Sequence, residues 1–411
     1  MDQFLICHRG ALGDFVLTWP TLYALRKSLP DLRFMGVGRT EYMRLAVRLG
    51  LLDSCCSGES SEMVGFFAGR SIPPVLGSPK GAILWLSEGR AVADLLKRSG
   101  ASLPVALIPP FPQKRMHVST YHYLSIQSHF QSHFPSCFRF PMEIPDPRSS
   151  CFSLGVRRGE YALIHPGSGS SAKNYHPQFY LDLAAELRHW GIPEVRFVLG
   201  PVEAQDRRMA HYLSGSMSGS MSRDPSGSMS GSMSRDPSGG KPGSMSRDLS
   251  GSEPRDPSGS EFGERINLRE IDSQGNNPPG IDLPGINPRG IDSPGINPLG
   301  INLREIDPQG NNPPGIDLPE DVEALARLQA GASLYIGNDS GASHLAGVLG
   351  TPTIALYKVT DPEVWGVMGR RVTNLKAENE DSALQQIREY LEETGIPIGN
   401  TTGNTNWEHH W

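Results

Sequence analysis

Residues 335–346 read Tyr335-Ile336-Gly337-Asn338-Asp339-Ser340-Gly341-Ala342-Ser343-His344-Leu345-Ala346. A carboxylate (Asp339), a hydroxyl (Ser340), a bare backbone (Gly341) and an imidazole (His344) lie close together here. The apolar run breaks at Gly337 and restarts over 340–348, so a strand is expected to hand over to a helix. The first turn of a helix leaves backbone N–H groups unpaired at the positive end of its dipole. Phosphates and other anions bind there. The same residues also suit a plain N-cap, with Asp339 or Ser340 capping, Gly341 allowing a tight turn and His344 packed.

Two more turns carry comparable chemistry. After the apolar run Phe4–Cys7 comes His8-Arg9-Gly10-Ala11-Leu12-Gly13-Asp14, then Leu22, Leu25 and Leu29 at helical spacing. Gly10 and Gly13 lie three apart, and Asp14 sits where open α/β sheets place their chemistry, just past a strand's carboxyl end. Asp14 also suits an N-cap. The pattern is not the dinucleotide fingerprint, since it lacks the first glycine pair of G-x-G-x-x-G. After Tyr161–Ile164 comes His165-Pro166-Gly167-Ser168-Gly169-Ser170-Ser171-Ala172-Lys173. Small residues let backbone N–H groups approach an anion, and Lys173 adds a mobile positive charge. Glu203, after Val195–Leu199, is positioned to accept hydrogen bonds from a ribose or simply to begin a helix.

The elements that hold these turns alternate. Strands are expected over 32–37, 82–86, 105–108, 161–164, 195–199, 353–356 and 372–375. Helices are expected over 41–49, 90–99, 121–130, 178–190, 321–330 and 382–393, with a loop from Asp361 to Trp365. Such alternation with short Gly/Pro turns implies parallel sheets covered on both faces. Residues 131–155, with Pro135, Pro141, Pro145 and Pro147, read as a linker. The expected organisation is a first domain over 1–150, a second over 151–398 and a polar tail over 399–411 that carries His409 and His410.

The second domain is interrupted. Ser214–Pro225 and Ser226–Pro237 are the same twelve residues, and from Ile266 a five-residue period follows, as in Ile281-Asp282-Leu283-Pro284-Gly285. Pro recurs where a coil of strands would need an N–H donor. Residues 214–319 are therefore expected to be a disordered, low-complexity insertion in a surface loop. They hold nine Lys/Arg and fourteen Asp/Glu, so −5 of the formal charge of −6 lies there and −1 remains for the rest. A nucleic-acid binder would show a basic excess, so no nucleic-acid partner is expected. Five cysteines without a C-x-x-C pair argue against a disulfide framework or a zinc site, and no metal is expected. A chain that starts on a strand, without a charged region and long apolar run, reads as having no signal peptide. No run approaches 18 apolar residues.

Three stretches together resemble glycosyltransferase family 9, the heptosyltransferase family of lipopolysaccharide core assembly. They are Gly10–Asp14 through Pro20 and Leu25-Arg26, His165–Ser168 through Lys173 and Pro177, and Gly337–Ala346. The resemblance covers about 300 residues once 214–319 is set aside. It implies a GT-B fold, with two doubly wound Rossmann-like domains facing across a cleft. It implies an inverting, metal-independent transfer of a heptose or related sugar from a nucleotide-diphosphate donor of the ADP-heptose type, with no other cofactor. Carried over residue by residue, it makes Asp14 the catalytic base and Gly10 and Gly13 parts of the N-terminal motif. Ser168, Lys173, Ser340 and Gly341 would meet the donor phosphates, Asp339 the donor sugar and Glu203 the ribose. His344 is implied near the phosphates or packed behind the motif.

The implied acceptor is a lipid-linked glycan at a membrane surface. The implied setting is the cytoplasm, compatible with peripheral attachment to the inner membrane, and the implied state is a monomer. Tyr175-His176 departs from the single Trp usual before the Pro, so a loop longer by one residue is expected. The basic pairs Lys114-Arg115 and Arg157-Arg158 suit either an anionic lipid or plain solvation. A nucleotide-sugar-binding protein of the same fold that has lost catalysis is the alternative.

Overall fold

Apolar runs bounded by Gly and Pro turns become two parallel sheets in the computed structural model, which describes residues 3–130, 153–200, 212–213 and 315–394. In the first lobe β1 (Gln3–His8), α1 (Leu12–Val16), α2 (Trp19–Ser28), β2 (Arg33–Gly38), α3 (Thr40–Arg48) and β3 (Ser54–Ser57) come first. Then follow α4 (Met63–Phe67), β4 (Pro79–Trp85), α5 (Arg90–Arg98), β5 (Val105–Ile108) and α6 (Val118–Phe130). The strand order is β3-β2-β1-β4-β5, with every pairing parallel. Both faces are covered. Phe4 and Ile6 of β1 enter one apolar cluster, Leu5 and Cys7 the other.

The second lobe contains β6 (Tyr161–His165), α7 (Pro177–His189), β7 (Glu194–Val198), β8 (Gly315–Asp317), α8 (Val322–Gly331) and β9 (Leu334–Asn338). It continues with α9 (Gly341–Val348), β10 (Thr353–Tyr357), α10 (Pro362–Trp365), β11 (Val372–Lys376) and α11 (Glu380–Thr394). Its order is β11-β10-β9-β6-β7-β8, again all parallel. Renumbered from β6, that is the doubly wound order 3-2-1-4-5-6, which reverses direction between β6 and β9. In the first lobe the reversal lies between β1 and β4. Each lobe thus has a switch point where loops leaving neighbouring strands diverge and open a crevice.

Three expectations need correction. The stretch 214–319 does not end where its repeats end, because Gly315-Ile316-Asp317 forms β8 against Arg196-Phe197-Val198. Ile316 is 6% exposed and joins the second lobe's core. The segment 361–365 is helical from Pro362, with Asp361 as its cap accepting from Glu363 N at 3.0 Å. β3 and α4 were not expected at all, nor was α1: Leu12–Val16 is helical where the Gly10–Asp14 stretch reads as a turn ahead of the helix marked by Leu22. The remaining elements lie within about three residues of their expected limits. Residues 131–152 of the linker, the tail and residues 214–314 lie outside the described residues; the linker's far end is described, and there Leu154 is buried in the first lobe's core.

The lobes meet through helix starts. α1 packs on α9, and Leu345, Val348 and Leu349 share an apolar cluster with Phe15, Val16 and Trp19. The contact is closest at two glycines. A Cβ on Gly13 would stand 3.2 Å from Gly341 Cα and 3.2 Å from His344 Cδ2. A Cβ on Gly341 would stand 2.9 Å from Gly13 N. Side-chain-free backbone is what lets these helices approach so closely.

Two outcomes are expected. Excising 214–310 leaves the melting temperature of the chain nearly unchanged, whereas excising 214–319 removes β8 and lowers it. Equal melting temperatures would show that β8 does not hold the sheet. Gly341→Ala favours the helix by up to about 1 kcal/mol but overpacks the lobe contact by about 1–3 kcal/mol. Net destabilisation is therefore expected in thermal unfolding, and a stabilised variant would refute the tight contact.

Candidate functional site

The loops after β6 and β9 leave the switch point of the second sheet side by side, since His165 registers with Gly337. Asn338, at the end of β9, ties them together. It is fully buried, and its Nδ2 lies 2.8 Å from both Pro166 O and Tyr180 Oη, with Asn174 Oδ1 at 3.2 Å. Tyr180 Oη in turn donates to Pro166 O at 3.1 Å and accepts from Tyr175 N at 3.1 Å. Tyr175 is 2% exposed and donates its hydroxyl to Ala377 O. The unusual Tyr175-His176 pair is thereby divided: the Tyr anchors the loop in the core, and His176 caps α7, accepting from Gln178 N.

This frame sets Lys173 against Asp339. Lys173 Nζ lies 2.7 Å from Asp339 Oδ2, Thr360 Oγ1 donates to the same oxygen at 2.6 Å, and His344 Nε2 is 3.8 Å from Oδ1. Burial pushes the Asp339 carboxyl up, but His344, Lys173 and Thr360 outweigh it and hold the pKa at about 2. Asp339 is therefore a fixed negative charge at neutral pH. The helix cap is Ser340, whose Oγ accepts from Ser343 N at 3.3 Å. His344 is 4% exposed, so it is both packed behind the motif and turned to the carboxylate.

Ser168 is engaged within its own loop. Its Oγ lies 2.6 Å from Ser170 O and 2.7 Å from Asn174 Oδ1. The adjoining Gly169 to Ser171 are exposed, and Gly169 has no neighbour within 4 Å of where a Cβ would stand. Glu203 lies outside the described residues. Arg115 of the first basic pair is held by Asp361 and Glu363, and Arg158 of the second donates to Gly350 O at 3.0 Å.

Asp14 comes to this cluster from the other lobe, in the first turn of α1. Its Oδ2 accepts from Ala11 N at 3.3 Å. Burial raises its pKa above the ordinary 3.8, partly offset by the Ala11 N–H and by the positive fields of His344 and Lys173. Gly10 keeps the ground beside it clear: a Cβ there would stand 3.1 Å from Asp14 Oδ2 and 2.9 Å from His8 Cε1. His8 is 3% exposed, lies against Phe15 and Trp85, and is held neutral by burial with a pKa of about 4.

The structure thus gathers Asp14, Lys173, Asp339, Ser340, Gly341 and His344 around the contact of α1 with α9. Thr360 and Asn338 belong to the same cluster but had no role in the sequence reading. Chemically the arrangement offers one carboxylate with a raised pKa, one permanent carboxylate, one ammonium and a capped helix start. That set can accept a proton, hold hydroxyls and neutralise a departing anion.

Residues 319–394 match the family model described as glycosyltransferase family 9 (heptosyltransferase). No curated protein matches the chain by sequence. Among solved structures, the family 9 glycosyl transferase of Veillonella parvula aligns with a TM-score of 0.53 at 13% identity, covering 98% of this chain and 91% of that one. The E. coli heptosyltransferase WaaC with ADP aligns with 0.53 at 13% identity, covering 95% and 99%. The E. coli ADP-heptose lps heptosyltransferase II gives 0.51 at 11%, covering 96% and 99%. At such identities the likeness is one of fold. The chain has the GT-B fold of two Rossmann-like lobes, and in the match over 319–394 it carries the resemblance to glycosyltransferase family 9 that its motifs announced.

Proposed function

We propose that this protein is an inverting glycosyltransferase that moves a heptose or related sugar from a nucleotide-diphosphate donor to a lipopolysaccharide-core or similar lipid-linked glycan. The observation that carries the reading is Asp14 of one lobe standing in the positive field of Lys173 and His344 of the other, beside the Gly13–Gly341 contact, with Lys173 paired to Asp339. A base and an anion cradle set on opposite lobes suit a reaction that joins two substrates. Structures of WaaC with ADP and with ADP-2-deoxy-2-fluoro heptose, on a similar fold, support an ADP-type donor.

In this reading the acceptor hydroxyl attacks the anomeric carbon from the side of Asp14. The new C–O bond forms as the bond to the β-phosphate oxygen breaks, and its electron pair leaves with the nucleoside diphosphate. Asp14 takes the hydroxyl proton. One carboxylate suffices, because the leaving diphosphate needs no protonation, unlike the alkoxide expelled in glycoside hydrolysis. Lys173 and the start of α9 at Ser340-Gly341 neutralise the charge that develops. Ser168 joins them by exchanging its bond to Asn174 for a phosphate oxygen. Asp339 accepts hydrogen bonds from the donor sugar. Glu203 is assigned to the ribose on resemblance alone. A lipid-linked acceptor would be met at the membrane surface; no helix among the described residues is long and apolar enough to cross a membrane.

A thermal-shift panel of nucleoside diphosphates tests the donor. ADP is expected to raise the melting temperature more than UDP or GDP; a larger UDP shift would redirect the donor, and no shift with any of them would overturn a nucleotide-diphosphate donor. The base is tested through pH. Asp14 acts ionised, so the rate is full above its folded pKa and falls as pH drops through it. Because that pKa is raised, the acid limb of kcat/KM is expected above pH 3.8. Asp14→Asn is expected to cut kcat by a factor of about 100 to 10,000 while ADP affinity changes less than about twofold. Loss of ADP binding in step with turnover would remove Asp14 from the role of base.

A further inference from the structure

Asp339 Oδ2 is held by two donors from two different loops. Lys173 is one, and Thr360 Oγ1, at 2.6 Å, is the other. Once a diphosphate draws Lys173 toward itself, Thr360 remains as a neutral donor that fixes the rotation of the carboxylate. It occupies one lone-pair position on Oδ2 and leaves Oδ1 with His344 Nε2 at 3.8 Å as its near neighbour.

The segment bearing Thr360 is pinned from both lobes. Within the second, Lys376 Nζ donates to Lys358 O at 3.2 Å and Thr360 O at 3.0 Å, and Lys358 Nζ donates to Asn174 O at 3.2 Å. From the first, Arg115 Nε and Nη2 reach Asp361 Oδ2 at 3.0 and 2.9 Å, and Arg115 also pairs with Glu363. Phe111 stacks edge-on against Trp365 with ring centroids 5.3 Å apart. His117 Nδ1 accepts from Ser119 N at 3.2 Å, so its Nε2 carries the hydrogen and donates to Gly366 O at 2.9 Å. Asp361, gripped by the first lobe, is the immediate neighbour of Thr360, gripped by the donor carboxylate.

We propose that Thr360 is a positioning residue for Asp339, and that Arg115, acting through Asp361 from the opposite lobe, holds Thr360 in place. The proposal rests on the reading of Asp339 as the donor-sugar carboxylate. It makes Thr360 matter to the sugar and not to the diphosphate, and it makes sugar binding depend on an ion pair across the lobes.

The test is calorimetric titration of the full chain with two probes, ADP and the fluoro-heptose nucleotide ADP-2-deoxy-2-fluoro heptose. Thr360→Val is expected to weaken the sugar nucleotide about tenfold and ADP less than twofold, with Thr360→Ser restoring most of the loss. Arg115→Ala is expected to weaken the sugar nucleotide two- to fivefold, and to add nothing when Thr360 is already Val. Equal weakening of both probes, a Ser variant as poor as Val, or additive effects would each overturn the proposal. Asp339→Asn separates the two levels. If it loses the sugar nucleotide while Thr360→Val does not, the positioning role falls and the site stands. If Asp339→Asn binds both probes like the unaltered protein, the site reading falls as well. A double-mutant cycle of melting temperature between Thr360→Val and Asp339→Asn needs no ligand, and an absence of coupling there also refutes the role.

Discussion

Everything in this site depends on two backbones being allowed to touch. Gly13 opens the turn that carries Asp14, and Gly341 opens the helix that follows Asp339. Each lies where the other's side chain would have to be. Because neither has one, α1 and α9 meet at their first turns and bring two crevices, each at the switch point of its own sheet, into register. Around that contact the apolar side chains close ranks. Phe15, Val16 and Trp19 pack in one cluster with Leu345, Val348 and Leu349, so the site stands on a continuous core shared by both lobes.

Charge is arranged with the same economy. Two aspartates flank the contact and are driven in opposite directions. Asp339 is stripped of water but surrounded by Lys173, Thr360 and His344, so it stays ionised. Asp14 is stripped of water with little direct compensation, so its affinity for a proton rises. Environments that separate the pKa values of two like groups also divide their labour. The neighbouring imidazole of His8 is kept neutral by burial, with a pKa of about 4, so it adds no charge beside Asp14.

Much of the fold is legible in the chain because parallel strands buried on both faces read as short apolar runs, as Phe4–Cys7 and Tyr161–Ile164 do. Where that signal is missing, the element is missed. β3 is Ser54-Cys55-Cys56-Ser57, a strand by virtue of its pairing with β2 and not of its own composition. α4 spans five residues, too few to display a helical period. The site was legible as three separate turns, since glycines, a lysine and carboxylates after strands have few structural uses in combination. Their meeting was not, because it depends on strand order and on an approach of backbones that no single stretch encodes. Thr360 was invisible for a different reason: a lone threonine after a strand means nothing until the carboxylate it serves is folded against it.

β8 carries a consequence for the chain's repeats. Its context, Pro313-Pro314-Gly315-Ile316-Asp317-Leu318-Pro319, is spelled identically at Pro278-Pro279-Gly280-Ile281-Asp282-Leu283-Pro284. The slot beside β7 therefore has two candidate occupants of the same composition, and side-chain complementarity cannot choose between them. Tethering can. From Asp317 only four residues lead to α8, whereas from Asp282 thirty-nine do. Closing the longer connection costs about 2 kcal/mol more by chain entropy. The winner is selected by its leash, so whole units can be gained or lost upstream by slippage of the gene while the copy nearest α8 inherits the place at the sheet's edge.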